Sequence, residues 1–229
     1  VLGRGTTERL QRYPKPFLIF TIHLYHMPTL YIVRHAQSEA NALQILAGQK
    51  DYPLTEQGLA DARHIAERFC AQYRPERIIC SPLLRTRQTA QPFADLLKKE
   101  IEFDPRIMEQ NMGRFSGMTY AEAEADPSYQ SDRSARWHWT PAGGGESYEM
   151  MAARTRAFLT DLLGVQGEIL VVTHSVAMRL LRANIEHTLP QYPSITAANG
   201  EIWKVELDSL DRPNPIETLD FGYTHNHRS

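Results

Sequence analysis

The chain has 229 residues, of which 42% are hydrophobic, a content that suits a folded core and is too high for a disordered protein. Its 25 Lys and Arg residues nearly balance 27 Asp and Glu residues, so no overall charge draws it to nucleic acid or to a membrane surface. The apolar runs are too short for a membrane span, and two cysteines, Cys70 and Cys80, cannot form a disulfide framework. We therefore predict a cytoplasmic protein of one large or two small domains.

The first residues of the chain have some features of a targeting segment. Basic residues precede a short apolar run over residues 17–25, as in a secretory signal, but no small-x-small cleavage site follows, and a strand-like segment begins near residue 30. We therefore expect Met27 to be the natural start. Residues 1–26 are then an N-terminal extension outside the fold, with a signal peptide as the alternative.

Along the rest of the chain, apolar runs typical of strands alternate with the 3.6-residue pattern of helices. A strand over residues 30–33 is followed by a helix over residues 55–73, whose apolar residues share one face. A second strand over residues 77–80 leads to a helix over residues 81–97, because Ser81 can cap the free amides and the following Pro suits the first turn.

The second half of the chain continues the alternation after an irregular segment over residues 104–145, in which a short helical piece covers residues 119–125. The elements that follow are a helix from residue 148 that Gly164 stops, a strand over residues 168–172, a helix over residues 176–187, a strand over residues 202–207 and a loose polar tail from residue 208. The folded domain is therefore expected over residues 27–210, with a loose C-terminal tail over residues 211–229.

Alternating strands and helices predict an α/β fold, a three-layer sandwich with a mostly parallel central sheet and helices on both faces. Ligands of such sheets bind beyond the carboxyl ends of the strands. Arg34-His35 and Thr173-His174 both follow predicted strands. We therefore expect the two histidines to converge on one pocket.

The segment after the first strand places a cation, an imidazole, a hydroxyl and an amide close together, in Arg34, His35, Ser38 and Asn41. An Arg side chain offers a planar fork of donors that matches phosphate oxygens, and a neutral imidazole can attack phosphorus. Arg85 is a second cation near the start of a helix, where the helix N-terminus also attracts an anion. Considered alone, His35 fits a hydrogen-bonded structural histidine as well as it fits a nucleophile. Arg85, considered alone, fits a solvated residue on the helix surface better than an anion-binding residue.

Four segments, in this order, resemble the histidine phosphatase superfamily, also called phosphoglycerate mutase-like. They are Arg34-His35-Ala36, Ser81-Pro82-Leu83-Leu84-Arg85, Glu109 and His174, and the likeness extends over about residues 29–207. The resemblance implies a phosphoglycerate mutase-like fold and catalysis through a phosphohistidine, with neither a metal nor another cofactor.

The resemblance also implies roles for individual residues. His35 matches the nucleophile that becomes phosphohistidine, and Glu109 matches the acid that protonates the leaving oxygen. The residues that match the phosphoryl pocket are Arg34, Arg85, His174 and Asn41, and further candidates for contacts with phosphate or substrate are Ser38, Gly48 and Ser175.

Three functions stay open from the sequence. In phosphoglycerate mutases of the family, the stretch that begins at the acidic residue resembles Glu-Arg-His-Tyr-Gly, and a loop with a Lys follows it. This chain has Glu109-Gln110-Asn111-Met112-Gly113 there and carries Tyr120 where that Lys would be. Hydrolysis of a small phosphorylated metabolite is therefore the leading hypothesis, and a cofactor-dependent phosphoglycerate mutase is the second. The third is a pseudo-enzyme that binds phosphorylated partners without turnover. We expect a monomer or a homodimer that binds neither nucleic acid nor membrane.

Overall fold

The computed structural model describes residues 27–191 and 194–221, so the expected extension over residues 1–26 and the end of the expected tail lie outside the described residues. The strands are β1 (Thr29–Arg34), β2 (Arg77–Cys80), β3 (Ile101–Phe103), β4 (Glu168–Thr173), β5 (Ile202–Glu206) and β6 (Ile216–Leu219). The helices are α1 (Glu39–Ala42), α2 (Glu56–Cys70), α3 (Leu84–Leu97), α4 (Tyr120–Glu124), α5 (Tyr148–Leu162) and α6 (Ser175–Ile185). Within the described residues, no helix is both long and apolar enough to cross a bilayer.

The strands form one sheet in the order β3-β2-β4-β1-β5-β6. Strands β3, β2, β4 and β1 run parallel to one another, whereas β5 is antiparallel to β1, and β6 is antiparallel to β5. The predicted α/β sandwich is therefore confirmed, with a mixed sheet in which four of the six strands are parallel.

The two edge strands of the sheet differ from the sequence predictions. No strand is predicted at β3, and a loose tail is predicted from residue 208, yet residues 216–219 form β6 and Phe221 is buried. The expectation of a loose tail was wrong for these residues, because β6 pairs along the otherwise open edge of β5, with Ile202 opposite Leu219.

Helices cover both faces of the sheet because side chains of a strand alternate in direction. In β1, Leu30 and Ile32 join the apolar core that contains the inner faces of α5 and α6. Tyr31 and Val33 join the core that contains the inner faces of α2 and α3. The sheet therefore lies between two helical layers, and its central strands are buried on both sides.

The register of the parallel strands brings distant segments to one edge of the sheet. The last residue of β1, Arg34, lies opposite the last residue of β4, Thr173. His35 and His174 therefore leave the sheet at adjacent positions. Strand β2 ends on the other side of β4, which places Ser81 beside His174.

Candidate active site

His35 is buried, and a backbone contact fixes which of its two ring nitrogens carries the proton. The residue is only 4% exposed, and its Nδ1 lies 2.7 Å from the carbonyl oxygen of Ala36. Because a carbonyl oxygen can only accept, Nδ1 carries the proton and Nε2 keeps its lone pair. Burial, Arg85 and Arg34 hold the pKa of His35 well below 6.5, so the ring stays neutral and nucleophilic at neutral pH.

His174 packs against His35, with the two ring centroids 5.3 Å apart. Its Nε2 lies 2.8 Å from the hydroxyl oxygen of Ser81, and its Nδ1 is buried without a hydrogen-bond partner among the described residues. Burial, followed by Arg85, holds the pKa of His174 well below 6.5. When the Ser81 hydroxyl donates to Nε2, Nδ1 carries the proton and is a hydrogen-bond donor.

Ser81 contacts His174, and the helix that follows it begins later than predicted. Helix α3 begins at Leu84 after an N-cap at Leu83 that makes no side-chain hydrogen bond. The amide of Leu84 donates instead to Asp51 at 2.7 Å. The helix therefore begins three residues later than predicted, while the Ser81 hydroxyl oxygen accepts from the free amide of Leu83 at 3.5 Å and also lies beside the imidazole ring of His174.

Two buried guanidinium groups supply positive charge next to the histidines. Arg34 donates to the carbonyl oxygen of Ala197 at 2.6 Å, and Arg85 donates to the carbonyl oxygens of Gly48 and Lys50 at 2.8 and 3.0 Å. A carbonyl oxygen orients a cation without cancelling its charge. Burial lowers the pKa of both guanidinium groups to about 10, so both stay charged at neutral pH and attract an anion.

Hydrogen bonds to its side-chain oxygen fix Asn41. This Oδ1 accepts from the backbone amide and the hydroxyl of Ser38, at 3.1 and 3.0 Å, and from Nδ2 of Asn199 at 3.2 Å. The Nδ2 of Asn41 is thereby directed away from these donors. Ser38 is buried and caps α1, so its hydroxyl acts on Asn41.

Asn199 contacts two predicted site residues and was not itself predicted from the sequence. Besides its contact with Asn41, its Nδ2 donates to the carbonyl oxygen of His35 at 2.9 Å. No local pattern marks this residue, because it meets the first motif only through the return of the chain before β5. Asn199 therefore holds the backbone of one predicted site residue and the side chain of another.

Both carboxylate oxygens of Glu109 accept backbone hydrogen bonds. Oε1 accepts from the amide of Gln110 at 2.8 Å, and Oε2 accepts from the amide of Val176, in the first turn of α6, at 3.2 Å. Arg154 donates to the backbone carbonyl of Glu109 at 3.2 Å. Since Glu109 acts on the pKa of both buried guanidinium groups, its carboxyl group lies within their electrostatic reach.

Gly48 and Ser175, two further predicted site residues, both line the cavity of the site. Gly48 has a φ of +53°, and a Cβ there would lie 2.7 Å from the hydroxyl oxygen of Ser116. Glycine therefore allows this loop to bring its carbonyl oxygen to Arg85. Ser175 is the first residue of α6.

A cavity of about 710 Å³, including its open mouth, collects these groups. His174 is fully buried and lies next to the cavity through its contact with His35. The structure thus brings the predicted site residues together, while their roles in the reaction stay predictions. Predicted site residues in the cavity wall are Arg34, His35, Ser38, Asn41, Gly48, Arg85, Glu109 and Ser175.

The groups that line this cavity suit phosphoryl transfer. Charge neutralisation and positioning do most of the work in such a reaction, and a neutral imidazole, fixed cations and a carboxyl group meet those needs. Among the described residues, no three His, Cys, Asp or Glu side chains form a cluster suited to a metal ion.

Comparison with known families agrees with this geometry. A model of the histidine phosphatase superfamily (branch 1) matches residues 30–212. The chain therefore belongs to the histidine phosphatase superfamily, which confirms the resemblance found in the sequence.

Individual relatives include both mutases and phosphatases. The probable phosphoglycerate mutase GpmB of Photorhabdus laumondii is 35% identical over 164 residues, which cover 69% of this chain and 75% of that protein. The metal-independent phosphoserine phosphatase of Arabidopsis thaliana is 32% identical over 161 residues, or 68% of either chain. A mycobacterial glucosyl-3-phosphoglycerate phosphatase in complex with VO3 superposes with a TM-score of 0.73 at 24% identity, over 83% of this chain and 97% of that one, and shows the shared fold.

Proposed function

We propose that this protein is a metal-independent phosphatase that hydrolyses a small phosphomonoester through a phosphohistidine at His35. The observation that carries the proposal is the hydrogen bond from Nδ1 of His35 to the carbonyl oxygen of Ala36, which leaves the lone pair on Nε2. His35 lines a cavity whose wall also holds Arg34, Arg85 and Glu109.

In the first step, the Nε2 lone pair of His35 forms a bond to phosphorus while the bond from phosphorus to the ester oxygen breaks. Glu109, in its acid form, gives its proton to the leaving oxygen, which would otherwise depart as a poor alkoxide leaving group. In the second step, water attacks phosphorus, Glu109 takes a proton from it, and the bond to Nε2 breaks with the electron pair returning to nitrogen. Free phosphate and neutral His35 result.

Positive charge and hydrogen bonds hold the phosphoryl oxygens through both steps. Arg34 and Arg85 supply charge that their carbonyl partners orient without cancelling. Asn41 supplies its free amide nitrogen and His174 supplies Nδ1, which has no partner among the described residues. Each donor is fixed before the substrate arrives, so little reorganisation accompanies the charge that builds up on the oxygens.

A cofactor-dependent phosphoglycerate mutase is the second candidate, because the relative from Photorhabdus laumondii is named a probable phosphoglycerate mutase. Against it, Met112 and Tyr120 line the cavity. At the corresponding positions, sequences like those of the family's mutases have a Tyr and, in the loop that follows, a Lys. A mutase must hold the reaction intermediate and exclude water until it returns the phosphoryl group. The sequence at these two positions therefore favours hydrolysis.

Release of inorganic phosphate from p-nitrophenyl phosphate in the presence of EDTA tests the proposal. The wild-type protein should turn over, and His35→Ala should lose turnover altogether. His64→Ala, on the exposed face of α2, is the matched control and should keep wild-type activity. Substantial activity in His35→Ala would contradict the assignment of His35 as the nucleophile. If the wild-type protein bound the phosphate ester without releasing phosphate, it would be a pseudo-enzyme. Conversion of 3-phosphoglycerate to 2-phosphoglycerate without phosphate release would show a mutase.

Glu109→Gln tests the acid separately. The variant cannot protonate a leaving oxygen, so kcat for alkyl phosphates should fall by about 100-fold or more. The loss for p-nitrophenyl phosphate should be much smaller, because p-nitrophenolate leaves without a proton. Glu124→Gln, at an exposed position of α4, is the control. Equal losses of kcat for both kinds of ester would show that Glu109 does not protonate the leaving oxygen.

A further inference from the structure

The stretch of chain that carries Glu109 has no regular secondary structure. Residues 108–112 belong to neither a helix nor a strand and lie between two short 3-10 helices, Pro105–Ile107 and Gly113–Phe115. Backbone carbonyls in such a stretch have no helix or strand partner, and buried ones need another donor because an unpaired buried carbonyl costs free energy. The position of the Glu109 carboxyl group therefore depends on the side chains that hold this backbone.

Arg154, on α5, binds the backbone of this stretch from behind the cavity wall. Its Nη2 donates to the carbonyl oxygens of Met108 and Glu109 at 2.8 and 3.2 Å, and its Nη1 donates to that of Arg106. Gln49 adds a second donor to the Glu109 carbonyl oxygen, at 3.0 Å. Within the part of the chain that the structure describes, the cavity lining includes neither Arg154 nor Gln49. Both side chains therefore act on Glu109 through its backbone.

Glu146 holds both Arg154 and the residues that follow Glu109. Its carboxylate accepts from Nε and Nη2 of Arg154, at 2.9 and 3.2 Å, and from the amide of Asn111 at 3.0 Å. Its carbonyl oxygen accepts from the side chain of Gln110 at 2.7 Å, and the backbone amide of Gln110 donates to the Glu109 carboxylate. Only 17% of the Arg154 side chain and 18% of the Glu146 side chain are exposed, so water screens this ion pair less than one at the surface.

We propose that the ion pair of Arg154 and Glu146 positions Glu109 for proton transfer to the leaving oxygen. The inference rests on the proposed phosphatase function and adds two positioning residues to it. A proton donor must lie within hydrogen-bond distance of the leaving oxygen, so a small shift of this backbone would weaken proton transfer. Attack on phosphorus depends less on this stretch, because the ring of His35 is oriented by Ala36 on another segment.

Two substitutions that conserve charge test this ion pair. Arg154→Lys keeps the positive charge that acts on His174, but an ammonium group lacks the planar fork that reaches Glu146 and the backbone together. It should lower kcat/KM for ethyl phosphate by about tenfold or more and that for p-nitrophenyl phosphate by less than about threefold, because p-nitrophenolate leaves without a proton. Glu146→Asp draws the carboxylate back by one methylene group and should show the same selectivity, which keeps the test valid if Arg154→Lys does not fold.

The controls make the same changes elsewhere on α5. Arg156→Lys and Glu149→Asp alter exposed side chains of this helix and should keep wild-type kcat/KM for both esters. A merely structural role would reduce the amount of active protein and so lower kcat/KM equally for both esters. Equal losses in Arg154→Lys and Glu146→Asp would therefore overturn the inference, as would wild-type values in both.

Combination with Glu109→Gln shows whether Arg154 acts through the acid. In the Glu109→Gln background, Arg154→Lys should no longer change the ratio of kcat/KM for the two esters, because the proton donor is already absent. The same change of ratio in that background would show that Arg154 acts on the leaving group without Glu109, and would overturn the inference. Failure of the wild-type protein to release phosphate from p-nitrophenyl phosphate would instead refute the phosphatase function itself, and the inference with it.

Discussion

Two imidazole rings buried side by side should make the stability of this protein depend on pH. His35 is 4% exposed and His174 is 0% exposed, and burial together with Arg85 holds the pKa of each ring well below 6.5. Both rings stay neutral in the folded protein, whereas in the unfolded chain they take up protons near pH 6.5. Because the unfolded state then binds more protons, stability is present above this pH and is lost below it.

The size of the loss follows from the proton balance. Between pH 7.5 and pH 5.5, each ring that stays neutral in the fold subtracts about 1.4 kcal/mol from the free energy of unfolding, so the pair subtracts about 2.7 kcal/mol. Urea unfolding at pH 7.5, 6.5 and 5.5 measures this loss. In His174→Asn the loss over the same range should be smaller by about 1.4 kcal/mol, whatever the stability of the variant at pH 7.5.

His64→Asn removes an imidazole from the exposed face of α2 and is the control for this measurement. It should keep the wild-type dependence on pH. If His174→Asn loses as much stability between pH 7.5 and pH 5.5 as the wild type, the ring of His174 is protonated in the folded protein. That result would refute the neutral pair of rings on which the site is built.

Two further substitutions test the surroundings of His35. Arg85→Gln should move the acidic limb of kcat/KM for p-nitrophenyl phosphate to higher pH, because Arg85 is one of the causes that lower the pKa of the nucleophile; a limb at the wild-type pH would contradict this. Gly48→Ala should lower the free energy of unfolding by about 1–2 kcal/mol in urea, since Gly48 has a φ of +53° and a Cβ would crowd Ser116. An unchanged urea midpoint would show that the loop accepts a side chain.

The central part of the fold could be predicted from the sequence because its elements are buried in simple ways. Strands β1 and β4 have five buried residues each after a partly buried first residue, and therefore read as continuous apolar runs. Helix α5 buries one stripe of residues from Tyr148 to Leu162, which gives the 3.6-residue pattern. The order of these elements in turn predicted that His35 and His174 would meet.

The edge strands and the supporting residues of the site could not be predicted in this way. Two of the three residues of β3 are exposed, and no residue of β6 is fully buried, so neither strand has an apolar signal of its own. Asn199 meets His35 across 164 positions of sequence, and Ser81 meets His174 across 93. Such contacts depend on the assembled sheet rather than on any local pattern.

Trapping the covalent intermediate tests the central claim most directly. The protein is mixed with substrate, quenched at alkaline pH within the first turnover and digested, and the phosphorylated peptide is located by mass spectrometry, with the ring nitrogen assigned by phosphorus NMR. The account predicts acid-labile phosphate on Nε2 of His35 alone, the nitrogen left free by the contact of Nδ1 with Ala36. Phosphate on Nδ1, on His174 or on any other side chain during turnover would contradict it.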